Sequence, residues 1–450
     1  MQLSDLQKAV EAGEIDTVIV ATPDMQGRLV GKRLTARHFL AGGQDGVGTC
    51  SVVLTWGHNH SLDPGYALSG WDNGYPDMIV VPEMSTLASY AWSERTAFVM
   101  GNAKLPGGGE IDVAPRTVLA KQIAALEKRG LKPSFASELE FYLLRETPET
   151  AYEKGYVNLS PKHSVMHPET LMRTSEDEHY FGPLRNFLEA SGVEVEMFKA
   201  EYSPGQVEIN LQHQQAMKSA DNHLLLKAAA KEIALSQGML ASFMAKIHED
   251  MGGSSCHVHM SLSNEDGSSA FANGADGREA TELMTHFIGG LTTYIRDIFL
   301  FFAPNTNSYR RLQPNTFAPN AVTWGEDNRT VAFRMVGKGK ARRIENRIPG
   351  ADINPYLAYS AMIAAGLRGV DEKLRPAGEA QSGNAYSMSD TPLLPQTLDE
   401  AIEAFETSDL ISDVFGKSFR DHYANYGKQT SRAARVAVTD FERRMLLMDI

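Results

Sequence analysis

The sequence predicts an α+β protein in two parts, and three observations carry that expectation. Polar and apolar residues alternate in short runs such as 134–144 (SFASELEFYLL) and 256–261 (CHVHMS), the period of strands with one polar face. Longer helical patterns at 115–129 and 216–242, and a helical tail from Leu398, are interleaved with or follow those runs. The stretch Leu105-Pro-Gly-Gly-Gly-Glu110 breaks the chain with flexible residues. Residues 1–107 are therefore expected to form a small N-terminal domain and 112–450 a large one, in keeping with 450 residues.

Taken in order, Ser4 with Gln7 has the pattern of a capping box and opens a helix to about residue 12. Residues 17–21 predict a strand, and the turn through Asp24–Gly27 leads into another. The 105–110 glycines are followed by no Gly-Lys-Ser/Thr, so they provide a linker and not a phosphate loop. In 134–144, Glu138 and Glu140 point to the same strand face. Glu201-Tyr-Ser-Pro-Gly-Gln-Val-Glu208 sets two carboxylates at the ends of a Pro-Gly turn, with Val207, Ile209 and Leu211 marking the second arm as a strand. His257, His259 and Ser261 share one face. The 280–302 helix is the most apolar, yet Glu282, His286, Arg296 and Asp297 rule against a membrane span. Residues 340–347 (KARRIENR) extend Arg343, Glu345 and Arg347 on one face.

These residues imply chemistry. Two carboxylates about 4 Å apart repel by roughly 4 kcal/mol at an effective dielectric near 20, and a cation removes that cost. Oxygen-rich sites suit Mg²⁺ or Mn²⁺. A carboxylate between two guanidinium groups is either an ion-pair ladder or a metal position beside a polyphosphate.

With those motifs in view, the chain resembles the glutamine synthetase family of bacterial type, most of all its γ-glutamylamide synthetases. The family's E-x-E, E…P-G-Q-x-E, H-x-H, N-R-x-x-x-x-R and K-A-R-R-x-E-x-R motifs read here as Glu138-Leu-Glu140, Glu201…Glu208, His257-Val-His259, Asn328-Arg329…Arg334 and Lys340…Arg347. The resemblance implies a β-grasp-like N-terminal domain and a catalytic domain with an open antiparallel sheet and flanking helices. It implies one metal site at Glu140, Glu201 and Glu208, and a second at Glu138, His257 and Glu345. Arg311, Arg347 and the backbone at Gly253 would grip L-glutamate. Arg329 and Arg334 would stabilise the phosphoryl group. Glu196, His259, Ser261, Lys340 and Arg343 would meet ATP. The implied assembly is a homo-oligomer, a dodecamer, in which each site is completed by the next subunit. Tyr386 lies near a tyrosine that some relatives adenylylate.

The departures set the expected acceptor. Phe317 stands where ammonia-using relatives carry a glutamate, and Thr55 or Trp56 stands where they carry an aspartate. Gly252-Gly-Ser-Ser-Cys256 replaces an asparagine-containing stretch. Ammonium wants carboxylates, whereas an alkylamine gains roughly 0.8 kcal/mol for each CH₂ it buries in an apolar pocket. Trp56 would also stack on an ammonium group. The expected reaction is ATP-dependent ligation of a small monoamine to the γ-carboxylate of glutamate through an acyl phosphate. The alternatives are ammonia as acceptor, or a non-catalytic amine sensor. Glu201, Glu208 and Asp63 are the candidate proton acceptors.

Composition bounds the rest. With 42% hydrophobic and 22% charged residues the chain reads as globular, and 43 Lys and Arg against 56 Asp and Glu argue against a nucleic-acid partner. Two cysteines, Cys50 and Cys256, make no disulfide scaffold and suggest a reducing cytoplasm.

Overall fold

A computed structural model describes every residue except His167, Ser389, Asp390, Asp449 and Ile450. Among the described residues the chain forms two main sheets. The first uses strands between Thr17 and Lys104. At its centre Thr17–Pro23 runs parallel to Thr96–Lys104, and the hairpin partner Leu29–Thr35 forms one edge. The second sheet is laid out as Trp324–Glu326, Phe333–Val336, Arg343–Asn346, Cys256–Asn264, Leu131–Leu144, Gln206–Leu211 and Val195–Ala200. All of these neighbours are antiparallel except the first pair. The expected α+β class and open antiparallel sheet are what the chain adopts.

Alternation decides what each face of the second sheet does. Phe135, Leu139 and Phe141 of the long strand are buried on one face, where helices Pro115–Glu127, Ala216–Ser236 and Pro355–Asp371 cover them. Glu138 and Glu140 fall on the other face, and antiparallel registry lines up their cross-strand partners there too. Helices Glu282–Thr293 and Pro355–Asp371 pack closely: a Cβ on Gly290 would lie 2.0 Å from the Ala365 carbonyl oxygen.

Several boundaries differ from expectation. The first helix is Leu3–Glu11, and Asp5, not Gln7, accepts from the N-cap nitrogen, that of Gln2 (3.0 Å). Gln7 instead bonds forward to Glu11. The 216–242 helix stops at Ser236, because Gly238 turns left-handed (φ 69°) and Leu240–Ser242 pairs with the long strand. The 280–302 helix breaks into Glu282–Thr293, Ile295–Ile298 and a 3₁₀ turn at Phe299–Phe301. In 340–347 only Arg343–Asn346 is strand, and Lys340 sits in a preceding 3₁₀ turn. No helix among the described residues is long and apolar enough to cross a membrane.

Candidate active site

The polar face of the second sheet assembles its charged groups by registry. His257 lies opposite Glu138, Glu140 opposite Glu208, and Glu345 opposite both His259 and Arg334. The chain passes through five strands, yet the side chains meet because residues paired across a ladder point the same way.

Two groups of ligand atoms result. In the first, atoms of Glu140, Glu201 and Glu208 lie within 4.8 Å of one another. Glu140 is fixed by the Ser255 hydroxyl (2.6 Å), the Ser255 amide (2.8 Å) and the Gln206 amide (3.1 Å). Glu201 sits one residue past its strand, on the turn. Burial, reinforced by Glu138 and Glu140, pushes Glu208 up to about 9. The sequence reading missed Lys199, whose ammonium contacts Glu201 and comes within 3.7 Å of Glu208. It lies opposite Glu208 in the ladder and two residues before Glu201 in the chain, a spacing the sequence did offer. Three converging acids with a single ammonium fit a hard divalent cation.

The second group joins Glu138, His259 and Glu345. His257 Nδ1 is 3.0 Å from Glu138 and 3.7 Å from Glu345, so both histidines reach the same carboxylate. The expectation placed only His257 here. His259 enters because it is two residues along the same face, and its Nε2 lies 2.8 Å from Glu138. Although burial opposes ionisation, hydrogen bonds from the two histidines hold Glu138 well below the usual carboxylate range. Burial likewise opposes Glu345, and His257 and Arg347 outweigh it to bring that group down to about 2. Arg347 and Arg334 both donate to Glu345, the latter at 2.8 Å, and Arg334 also contacts Asp327.

A cavity of about 350 Å³ opens beside the second group, and Glu196, His259, Ser261, Lys340 and Arg343 all line it. Arg343 Nε donates to His259 Nδ1 at 3.0 Å, which leaves the other ring nitrogen to face Glu138. Arg329 lines a second, shallower cavity with Arg334. Arg311 is buried, its guanidinium donating to the carbonyls of Ile348 (2.7 Å) and Arg347 (3.2 Å). Gly253 allows this approach: a Cβ there would sit 2.5 Å from Arg311 Cγ.

Phe317 is 55% exposed with a left-handed backbone (φ 58°), and its ring centroid is 6.3 Å from that of Tyr202, the residue after Glu201. An exposed aromatic pair is therefore joined through the chain to Glu201 of the first acidic group. Tyr202 was not anticipated. The Tyr386 hydroxyl donates to the Ala318 carbonyl (3.1 Å), tying down the Phe317 segment.

Thr55 and Trp56 are not brought to that pair within one chain. Thr55 is buried, its hydroxyl donating to Val52, and Trp56 donates to Asp24 at 3.2 Å and faces Arg28. Their loop is held by helix Asp409–Val436 through His422, which bonds the Leu54 carbonyl at 2.8 Å.

Residues 112–446 match the family model described as glutamine synthetase, catalytic domain. The chain belongs to the glutamine synthetase family. The gamma-glutamylethanolamide synthetase of Streptomyces coelicolor is 40% identical, over 98% of this chain and 95% of that protein. A glutamate–isopropylamine ligase of a Pseudomonas species is 35% identical, over 94% and 93%. A solved structure of ligand-free GmaS superposes with a TM-score of 0.85 at 24% identity, covering 98% of this chain and 99% of that one, which establishes the shared glutamine synthetase fold.

Proposed function

We propose that this member of the glutamine synthetase family joins a small alkylamine to the γ-carboxylate of L-glutamate at the expense of ATP. The carrying observation is the Phe317–Tyr202 pair, whose tyrosine directly follows Glu201 of the Glu140, Glu201 and Glu208 cluster in the chain. It sets carbon surface where ammonia-using relatives place an acid. The acylating half of the site keeps its charged residues.

Glu140, Glu201 and Glu208 would hold one divalent cation and Glu138, His257 and Glu345 a second, with Mg²⁺ or Mn²⁺ supplying charge neutralisation to the transferred phosphoryl group. The cavity lined by Glu196, His259, Ser261, Lys340 and Arg343 takes the nucleotide. Arg311 and Arg347, with Gly253, orient glutamate so that its side-chain oxygen attacks the terminal phosphorus in line. The Pγ–O bond to ADP breaks, and Arg329 and Arg334 face the charge that spreads over the phosphoryl oxygens. The amine nitrogen then attacks the acyl carbon, phosphate departs, and the nitrogen passes its extra proton to a carboxylate, for which Glu201, Glu208 and Asp63 are the candidates. Catalysis here is mainly positioning and electrostatics.

Residues 1–107 and 112–450 act as the two domains of this reading. Thr55 is buried in its own chain, so of the two only the half-buried Trp56 would reach an amine pocket, and then from a second copy; this reading takes the assembly as a homo-oligomer, a dodecamer. Two free thiols fit a cytoplasmic setting.

The deciding experiment compares ADP release with ammonia, methylamine, ethanolamine and isopropylamine at saturating glutamate and Mg²⁺-ATP. An alkylamine is expected to exceed ammonia in kcat/KM. Preference for ammonia would make the chain an ordinary glutamine synthetase, and no ADP release with any amine would make it a sensor. Phe317→Glu is expected to move preference towards ammonia. An unchanged ratio of glutamine to amide would show that selectivity lies elsewhere.

A further inference from the structure

Away from the catalytic face, a cavity of about 420 Å³ lies between the first sheet and helix Ala216–Ser236. Its walls carry Arg28, Lys32, Arg33, Lys227 and Lys231 against one acid, Glu232. That acid is engaged already, accepting from the Tyr90 hydroxyl (2.8 Å) and the Trp92 indole (2.9 Å). Asp24, behind Arg28, is also committed, accepting from Arg28 Nε at 2.7 Å and from two backbone amides.

Lys32 already donates to the Gly48 carbonyl and Arg28 Nη1 to that of His58 (3.1 Å), but other donors remain. Arg28 Nη2 is buried without a hydrogen-bond partner. Lys227 makes one hydrogen bond, to the Ala351 carbonyl (2.9 Å), out of the three an ammonium can donate. The Lys227 and Lys231 ammonium groups stand 5.3 and 5.5 Å from the Phe243 ring, one helical turn apart on the same helix. Burial, then each other's or Arg28's charge, lowers the proton affinity of both lysines. Like charges set together in a concave, partly dry site call for an anion.

We propose that this cavity binds a small phosphate-bearing anion, bridging the Arg28–Arg33 hairpin to Lys227 and Lys231 of the helix. A guanidinium fork with adjacent ammonium groups matches a tetrahedral dianion better than a single carboxylate. The volume admits a phosphate ester of a few carbons as well as free phosphate. Such a ligand would tie the N-terminal sheet to the catalytic part. None of these residues is used in the reaction proposed above, so the inference stands apart from it.

The test is calorimetric titration of the full chain with inorganic phosphate and, separately, glycerol 3-phosphate, with Mg²⁺ and a non-hydrolysable ATP analogue filling the nucleotide cavity. Saturable binding is expected, and tighter binding of the ester would identify an organic phosphate as the ligand. Lys231→Met and Arg33→Gln are each expected to weaken it about tenfold, the loss of one charge-assisted hydrogen bond. ATP turnover should be retained in both. No saturable binding in the wild type, or equal binding in the variants, overturns the proposal.

Discussion

Glu140 accepts three hydrogen bonds, all from neutral donors, while Glu201 and Glu208 share the ammonium of Lys199. The sheet thus orients one carboxylate without neutralising it and leaves the group short of positive charge. Glu140→Gln keeps the shape and two of those donors but removes the charge. It is expected to lower ADP release by about a hundredfold or more, while far-UV circular dichroism stays unchanged. Chelation with EDTA should abolish turnover in the wild type, and added Mg²⁺ or Mn²⁺ should restore it. Turnover that survives chelation would remove the cation from the reaction. Gly253→Ala places a methyl against Arg311 Cγ and the Ala245 carbonyl (2.5 and 3.0 Å). Its expected signature is a raised KM for glutamate, with the KM for ATP little changed.

Elements explain which parts were legible in sequence. The five acids and one histidine expected to converge do come together, because strand periodicity is local and Glu138, Glu140, Glu208, His257 and Glu345 sit on clear strands, with Glu201 one residue past its own. Which histidine reaches which carboxylate is a matter of registry between distant segments, and alternation alone left His257 and His259 equivalent. The 216–242 pattern overran for a similar reason: an apolar run after Gly238 looks helical until a strand edge offers it hydrogen bonds. The aromatic pair was half visible. Phe317 showed as a departure, but Tyr202 became informative only when the turn carried it next to that ring. Helix contacts were invisible, since glycines at 290 and 366 read simply as weak helix formers. The structure shows them as contact points, with a Cβ on Gly366 meeting the Phe287 ring at 2.0 Å. Gly290→Val is therefore expected to destabilise by about 1–3 kcal/mol or more, read as a lower midpoint in urea at constant activity per folded molecule.

For the whole molecule, the contact between the 51–60 loop and helix Asp409–Val436 is pH-sensitive. Burial, opposed only by the Leu54 carbonyl, lowers His422 from 6.5 to about 4. The unfolded chain takes up that proton first, so the stability the neutral ring confers is complete above pH 6.5 and drains away as pH falls towards 4. The difference corresponds to roughly 3 kcal/mol. His422→Gln, which can still donate to Leu54, is expected to flatten the Tm profile between pH 6.5 and 4. An identical slope would clear this residue. Assembly belongs to the same scale. Val438, Phe441, Met445, Leu447 and Met448 are all more than half exposed, an apolar run of a kind that marks contact surfaces. Deleting residues 437–450 should shift the sedimentation profile to smaller species.

Asn354 begins the helix Pro355–Asp371 by accepting from the Tyr356 amide (3.1 Å), and its side-chain nitrogen donates to the carbonyls of Asp24 (3.0 Å) and Met25 (3.2 Å). One amide group thus serves as the first rung of a central helix and as the latch for a turn over three hundred residues earlier. Peeling the front of the molecule away would fray that helix at its root. Heating should therefore melt both sheets in a single calorimetric endotherm, where two independently anchored halves would give two.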